Sequence, residues 1–467
     1  MRAVTYPDQT RFAFRSGVTC LTTPAGAVLL NPPRSEKLTR LTAGQLHALK
    51  ALNLGPATVA EISGLSKPSD GNRAVNEVGT LISQLAADGW LTVAVRDGEK
   101  DVYAIVPCGL PPPRPASSSI SSVVLSKFAV LHRDSEGFVL EHPLSWCDVR
   151  IHDARLLPLL DGSENTDLPN AVASQFIEDL RWSGMLVAIG DEDQGFEALS
   201  WSAPDLWFHR RSTLGERNVT WEHFGPTKWA KGRFPQPPAR PTKYPGEPIA
   251  LPAPDLADKR AHDPTLTAVL EDRVSTRTFD DAQPITIEQL AELLYRTART
   301  RRTLPVGEGE ELLSRPYPSG GGSYELELYP VVRNVTGLAA GMYHYDSFDH
   351  ALRPVATADS KALSQLLKPA AATLTGGAEP QILIVMAARA GRIMWTYEQI
   401  GYASILKDVG VLMQTIYLVA TAMGLGACAQ GFSDTAAFIA ATGVDELQEC
   451  SVGSIIVGSP ARSQPTG

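Results

Sequence analysis

Arg273, Ser275 and Arg277 sit at alternate positions of one short segment, so an extended backbone turns all three to the same side. Two guanidiniums and a hydroxyl on one face suit a phosphate, which accepts paired, charge-assisted hydrogen bonds. The same spacing also serves a plain solvated surface. Downstream, residues 314–327 read SRPYPSGGGSYELE. Pro318 and Ser319 lead into three consecutive glycines, and a loop without Cβ atoms lets backbone N–H groups approach a flat or anionic ligand. A glycine run before a strand equally makes an ordinary turn. A second glycine pair, Gly424-Leu425-Gly426, follows a long apolar stretch.

The elements that must position these residues are legible around them. Thr286-Ile287-Glu288-Gln289 is a capping box that opens a helix through Thr297, with Leu290, Leu293 and Leu294 on one face. Strands are predicted near 324–333, 381–388 and 454–457, and the apolar run Ile382–Ala388 reads as a central strand. A helix from about Tyr402 to Met423 is apolar almost all round and is expected to be buried, which leaves Gln414 as a buried polar group in need of a partner. Helices and strands in this mixture predict an α+β fold for 255–467.

The chain's 467 residues exceed one core and predict two to four domains. Two Pro-rich segments, around 107–115 and 233–254, remove backbone donors and favour extended connections. They divide the chain into three parts, of which the first two look like copies. The sequence at 81–91 aligns with that at 176–186, and each has a helix pattern ending at a glycine, Gly89 or Gly184, before a short strand. Strand pairs (11–30, 127–140) and helical stretches (42–52, 153–160) precede each. The expectation is a winged-helix-like unit at 1–107, a second at 120–200, and a Trp/Pro-rich linker at 201–254, whose tryptophans form an aromatic seam between domains.

Charge argues against nucleic acid. Residues 1–107 carry 11 Lys/Arg against 9 Asp/Glu, a net of +2, but residues 120–200 carry 5 against 14, a net of −9. A phosphate backbone needs a positive footprint, which the second segment lacks. A dimerisation or packing module remains open for the pair. The five cysteines are scattered with no C-x-x-C pair, which predicts neither a disulfide framework nor a structural metal site. The start has no apolar core of a signal peptide, and the apolar stretch near 409–427, broken by Gln414, Thr415 and Thr421, is read as too short for a bilayer span. The expected protein is soluble and cytoplasmic, with no membrane partner.

The order R-V-S-T-R, S-R-P-Y-P-S-G-G-G and M-G-L-G-A-C resembles the nitroreductase-like flavoproteins, and the middle motif resembles their SagB/ThcOx branch, the azoline dehydrogenases of thiazole- and oxazole-containing peptides. The resemblance covers roughly 260–460. It implies an FMN-dependent enzyme that oxidises thiazoline or oxazoline rings in a ribosomally made precursor peptide. It also implies a homodimer with flavin at the subunit interface, a cyclodehydratase as companion enzyme, and the amino-terminal units as clamps that take the peptide as an added strand. Position by position, it assigns Arg273, Ser275 and Arg277 to the flavin's phosphate and ribityl end. Pro318, Ser319, Gly320 and Gly321 fall against the isoalloxazine; Gly424, Leu425 and Gly426 bring backbone N–H groups to ring or phosphate; Gln414 meets the flavin or the other subunit. Arg462 matches a late basic residue of the phosphate site.

One departure stands out. The family's catalytic Lys-Tyr pair reads Thr396-Tyr397 here. A threonine hydroxyl is too weak a base to replace a desolvated lysine unaided, so either Tyr397 acts with another partner, Glu398 and Lys407 being near in sequence, or the chain is slow, altered in substrate or inactive. Two other functions stay open on sequence: a small-molecule NAD(P)H-dependent nitro- or quinone reductase, and a peptide-binding scaffold for the cyclodehydratase.

Overall fold

The computed structural model describes residues 6–64, 71–115, 123–163, 166–215, 217, 221–227, 229–307 and 309–461; Arg462 lies outside them. The chain divides into two compact units, 1–220 and 221–467.

In the first unit, helices Ala43–Leu54, Val59–Gly64 and Gly71–Ala87 precede the hairpin Leu91–Asp97 and Lys100–Pro107. The aligned glycines close their helices in the same way. Gly89 (φ +72°) lets the Trp90 N–H reach the Leu85 carbonyl at 2.9 Å, and Gly184 (φ +74°) lets the Met185 N–H reach Leu180 at 2.8 Å. The helical stretch expected at 153–160 is a 3-10 helix, Ala154–Asp161, with Pro158 inside it. The segments 1–107 and 120–200 join in one sheet: Lys100–Pro107 pairs with Cys147–Ile151, Tyr103 opposite Ile151, to give seven strands over a shared core that includes Trp90, Tyr103 and Phe176. Val102, Tyr103, Ala104 and Ile105 are all buried in succession, and a strand apolar on both faces is poorly suited to an open edge.

Residues 201–254 are split between the units. Helix Ala203–Arg211 belongs to the first, where the Trp207 indole donates to the Phe128 carbonyl at 3.2 Å. Residues from 221 onward are folded into the second.

The second unit is built on a seven-stranded sheet of β1 (Ile249–Ala250), β2 (Leu326–Val332), β3 (Gly341–Asp346), β4 (Ala351–Thr357), β5 (Ile382–Ala388), β6 (Gly426–Gln430) and β7 (Cys450–Gly458), in the order β1-β4-β3-β2-β5-β7-β6. Every neighbouring pair is antiparallel. Helices α1 (Leu266–Asp272), α2 (Ile287–Ala298), α3 (Lys361–Ala371), α4 (Ala390–Thr396), α5 (Gly401–Ala422) and α6 (Thr435–Thr442) surround it. Ile382, Ile384 and Met386 of β5 share a core with α2 and α5, while Leu383, Val385 and Ala387 share one with α3 and α6. Helices on both faces therefore account for the unbroken apolar run, and the unit is α+β.

Helix α5 corrects two expectations. Its stripe Ile405, Val409, Leu412, Ile416 and Ala420 is buried, but Lys407, Gly410, Val411 and Gln414 are exposed, so Gln414 has solvent for a partner. The helix is also longer than the stretch read as too short: by length and composition its 22 residues could cross a membrane, although 39% of its apolar window is buried within the fold. An apolar residue on every side therefore means one face on the sheet and another still uncovered.

Candidate functional site

Two clusters form on opposite flanks of the buried stripe of α5. At one, Arg273 ends α1 in extended conformation (φ −61°, ψ 121°) and its guanidinium lies 5.4 Å from the ring centre of Tyr417. Ser275 Oγ is 3.0 Å from Tyr417 Oη. Tyr417 Oη also accepts the Ala429 N–H at 2.7 Å, which fixes the phenol between β6 and the exposed Ser275. Thus Arg273 and Ser275 meet the same tyrosine, as alternation predicts. Arg277 is exposed, and among the described residues neither guanidinium has a carboxylate partner.

The backbone of this segment lies along β6. Ser275 bridges Ala427, and the Thr276 N–H donates to the Ala427 carbonyl at 2.9 Å. Gly426 is required by that contact, since a Cβ there would stand 2.7 Å from Thr276 Cγ2. Gly426→Ala is expected to cost about 1–3 kcal/mol, read as a lower unfolding midpoint; an unchanged midpoint shows that the segment can move away. Gly424 (φ +70°) ends α5 and Leu425 turns into the core; against expectation, the Gly424 and Leu425 N–H groups are spent on the Thr421 and Ala420 carbonyls at 3.0 and 2.8 Å, because they close the helix. Residues far apart in sequence are thereby assembled into a basic corner with an exposed hydroxyl, a donor set that fits a phosphate.

At the other cluster, the glycine loop is a short 3-10 turn, Gly320–Gly322, with Gly321 at φ 58° and ψ 15°. Ser319 Oγ accepts the Tyr324 N–H at 3.0 Å and donates to Glu325 Oε2 at 3.2 Å, and the Gly320 N–H donates to Asp408 Oδ2 of α5 at 2.9 Å. Tyr317 is buried before the turn, its ring 5.3 Å edge-on from that of Tyr324. The Tyr397 hydroxyl faces the turn: a Cβ on Gly321 would come within 2.6 Å of it. This is a flat, side-chain-free surface with a phenol at its side, which a planar ring can approach.

Tyr397 leaves α4 in extended conformation and bridges Pro226; its ring lies 6.3 Å from that of Trp221. Thr396 does not point at the loop. Its hydroxyl turns back to the Arg392 carbonyl at 3.4 Å, and its carbonyl accepts the Thr227 N–H at 3.0 Å. The Pro-rich segment expected as linker holds this region in place. Proline removes donors but leaves carbonyls, and these take the cations of the β5–α4 connection. Arg389 donates to Pro238 and Ala239 at 2.7 and 3.0 Å, Arg392 to Pro237 at 2.6 Å, and the Trp395 indole to Phe234 at 3.0 Å. Burial, with Arg389 and Arg315 nearby, pulls Arg392 down to about 10, so it stays charged at neutral pH.

Tyr417, Asp408, Glu325 and the Arg389–Arg392 pair escaped the sequence reading. Asp408 carried a signal, as the lone carboxylate in a mostly apolar helix. Glu325 hid in the alternation of 324–328, where its face reads as solvent. A cavity of about 780 Å³ bordered by the Pro-rich segment, Tyr329, His344, Arg389, Arg392 and residues 443–449 includes none of the site residues singled out in the sequence. Among the described residues no His/Cys/Asp/Glu group is arranged for a metal ion.

Comparisons with known proteins follow the same division. Residues 270–459 match the nitroreductase family, and residues 123–218 match the cyanobactin oxidase ThcOx family. A Methanocaldococcus jannaschii protein bearing a nitroreductase name is 28% identical over 186 residues, 40% of this chain and 85% of its own. The microcin B17-processing protein McbC of Escherichia coli is 32% identical over 115 residues, 24% of this chain and 42% of its own length. Among solved structures, a nitroreductase-named protein of Ralstonia eutropha aligns at 26% identity and TM-score 0.37, over 51% of this chain and 99% of its own.

Proposed function

We propose, on the premise that this chain is an oxidoreductase of nitroreductase-like, SagB/ThcOx type, that it oxidises azoline rings of a ribosomally made peptide to azoles with bound FMN. The observation that carries the reading is the pair of clusters on α5. Arg273, Ser275 and Arg277 hold the phosphate beside Gly426, whose missing Cβ lets the segment lie close along β6. Pro318, Ser319, Gly320 and Gly321 form the surface for the ring. FMN supplies a two-electron acceptor for a hydride leaving the azoline Cβ. Tyr397 takes the Cα proton, so the product has lost two hydrogens; dioxygen is the terminal oxidant.

Asp408 and Tyr417 are nine residues apart on one helix, which sets them about 180° apart around its axis and about 13 Å apart along it. A single flavin reaches both kinds of cluster more readily when one copy supplies the phosphate end and the other the loop. The uncovered apolar residues Leu266, Leu270, Val274 and Val411 suit that contact. We therefore read the chain as a homodimer, with Gln414 on the dimer-facing side of α5. In the first unit, the helix–strand–helix–helix–hairpin order of 43–107, preceded by four strands, fits a winged-helix-like clamp for the precursor peptide, with 120–200 as its fused counterpart. A cyclodehydratase partner accords with the likeness to McbC. Five free thiols suit the cytoplasm.

The test is the purified protein. It is expected to be yellow with FMN, and an azoline peptide is expected to bleach the flavin anaerobically and lose two hydrogens by mass. Bleaching by NADPH but by no azoline peptide overturns the reading in favour of a small-molecule reductase. A flavin that no azoline reduces leaves the scaffold role, which Thr396 in the lysine position favours.

A further inference from the structure

We infer that Glu325 and Asp408 share one proton and, joined in this way, hold residues 319–322 in the shape that receives the flavin ring. This rests on the flavin reading above. Glu325 has no exposed surface and Asp408 is 7% exposed. Asp408 Oδ2 takes the Gly320 N–H and Glu325 Oε2 takes the Ser319 hydroxyl, so two successive loop residues hang on the two carboxyls. Glu325 Oε1 is buried and has no hydrogen-bond partner. A proton on it turns an orphaned acceptor into a donor to Asp408, and removes the repulsion of two adjacent buried charges.

The surroundings offer no other way to neutralise the pair. Among the described residues neither carboxyl has an ion-pair partner. Arg389 gives Glu325 only its main-chain N–H, at 2.9 Å to the carbonyl, and its guanidinium goes to the carbonyls of 238 and 239. The Arg392 guanidinium is spent on the carbonyls of Ser323, Pro237 and Glu311. Arg315 donates to the Leu326 carbonyl beside Tyr317, and Glu327 pairs with His344. Lys407 of α5 is exposed, and Cys450 of β7 feels Glu446 and Glu449. Tyr397 lies across Gly321. Burial first, then Asp408, hold Glu325 well above the ordinary carboxyl range, at about 7, so its carboxyl keeps a proton far above the pH at which an exposed glutamate loses it.

Since the folded state raises this pKa, the pair's stabilising form is complete at acid pH and is lost as pH rises through the folded value. Both carboxylates are then charged, and Ser319 and Gly320 are pushed apart with them. The pair is a positioning device and touches no reacting atom in this account.

Melting of the flavin-free protein between about pH 6 and pH 9 reads the shared proton, and FMN affinity over the same range reads the loop. The parent is expected to lose midpoint as pH rises, and to weaken FMN by about tenfold per pH unit above the pair's apparent pKa. Glu325→Gln, which fixes the neutral shape, is expected to flatten both profiles, and Asp408→Asn must do the same. Parallel profiles for parent and both variants overturn the shared proton; flattening by only one variant does so too. Flattened melting with an unaltered FMN profile overturns the positioning role. If the parent binds no FMN at any pH, the flavin reading and the loop's role fall together, while melting still decides the proton.

Discussion

Tyr397→Phe is expected to keep the fold and the flavin while slowing azole formation by roughly 10²–10⁴-fold, the usual contribution of a positioned proton-transfer group. The substitution removes one oxygen from a half-buried ring whose backbone is set by the Ile393 carbonyl and by Pro226, so little else changes. The hydroxyl matters because of its place against Gly321: a ring laid on the glycine turn brings a bound azoline beside it. Thr396→Lys makes the complementary test. The Thr396 hydroxyl is occupied with its own helix at 3.4 Å, and restoring the family's lysine is expected to raise the rate or move the pH optimum. Flavin reduction by an azoline peptide in the absence of oxygen measures both. Turnover of Tyr397→Phe at the parent rate removes Tyr397 from the reaction.

Arg273→Ala and Arg277→Ala are each expected to lower FMN retention at least about tenfold. A charge-assisted hydrogen bond contributes roughly 1.5–3 kcal/mol, and about 1.4 kcal/mol is a factor of ten. Arg273 is the more sensitive site, because its guanidinium is anchored over the Tyr417 ring. Arg273→Lys should recover part of the loss, since lysine keeps the charge without the planar fork. Neither arginine is in the core, so unfolding midpoints of the flavin-free variants should stay within about 0.5 kcal/mol of the parent. Equilibrium dialysis and absorbance give occupancy; full occupancy in both alanine variants places the phosphate elsewhere.

Much of the second unit was legible in the chain because its signals are local. A capping box at Thr286 and Gln289 opened the helix it announced. The run Ile382–Ala388 lay inside the sheet, since no residue in it could face water. Gly321, Gly424 and Gly426 stood where a left-handed backbone or a close approach excludes a side chain. R-x-S-x-R spacing put Arg273 and Ser275 on one side, because strand alternation is a property of backbone geometry alone.

Tertiary contacts decided the rest. That residues 273–277 lie along β6, with Tyr417 behind them, depends on two segments about 150 residues apart meeting. Whether the apolar α5 was buried all round turned on how much of it one sheet can cover, and Gln414 came out exposed. The Pro-rich stretch read as a linker because donors were missing; its carbonyls found Arg389 and Arg392 only in the folded unit. The segments 1–107 and 120–200 looked like separate copies, yet a strand apolar on both faces drew them into one sheet. Glu325 read as a solvent-facing residue in an alternating strand and proved buried beside Asp408. Sequence specifies what each backbone segment tolerates; which carboxyls, cations and carbonyls must neutralise one another is settled only when packing removes the water between them.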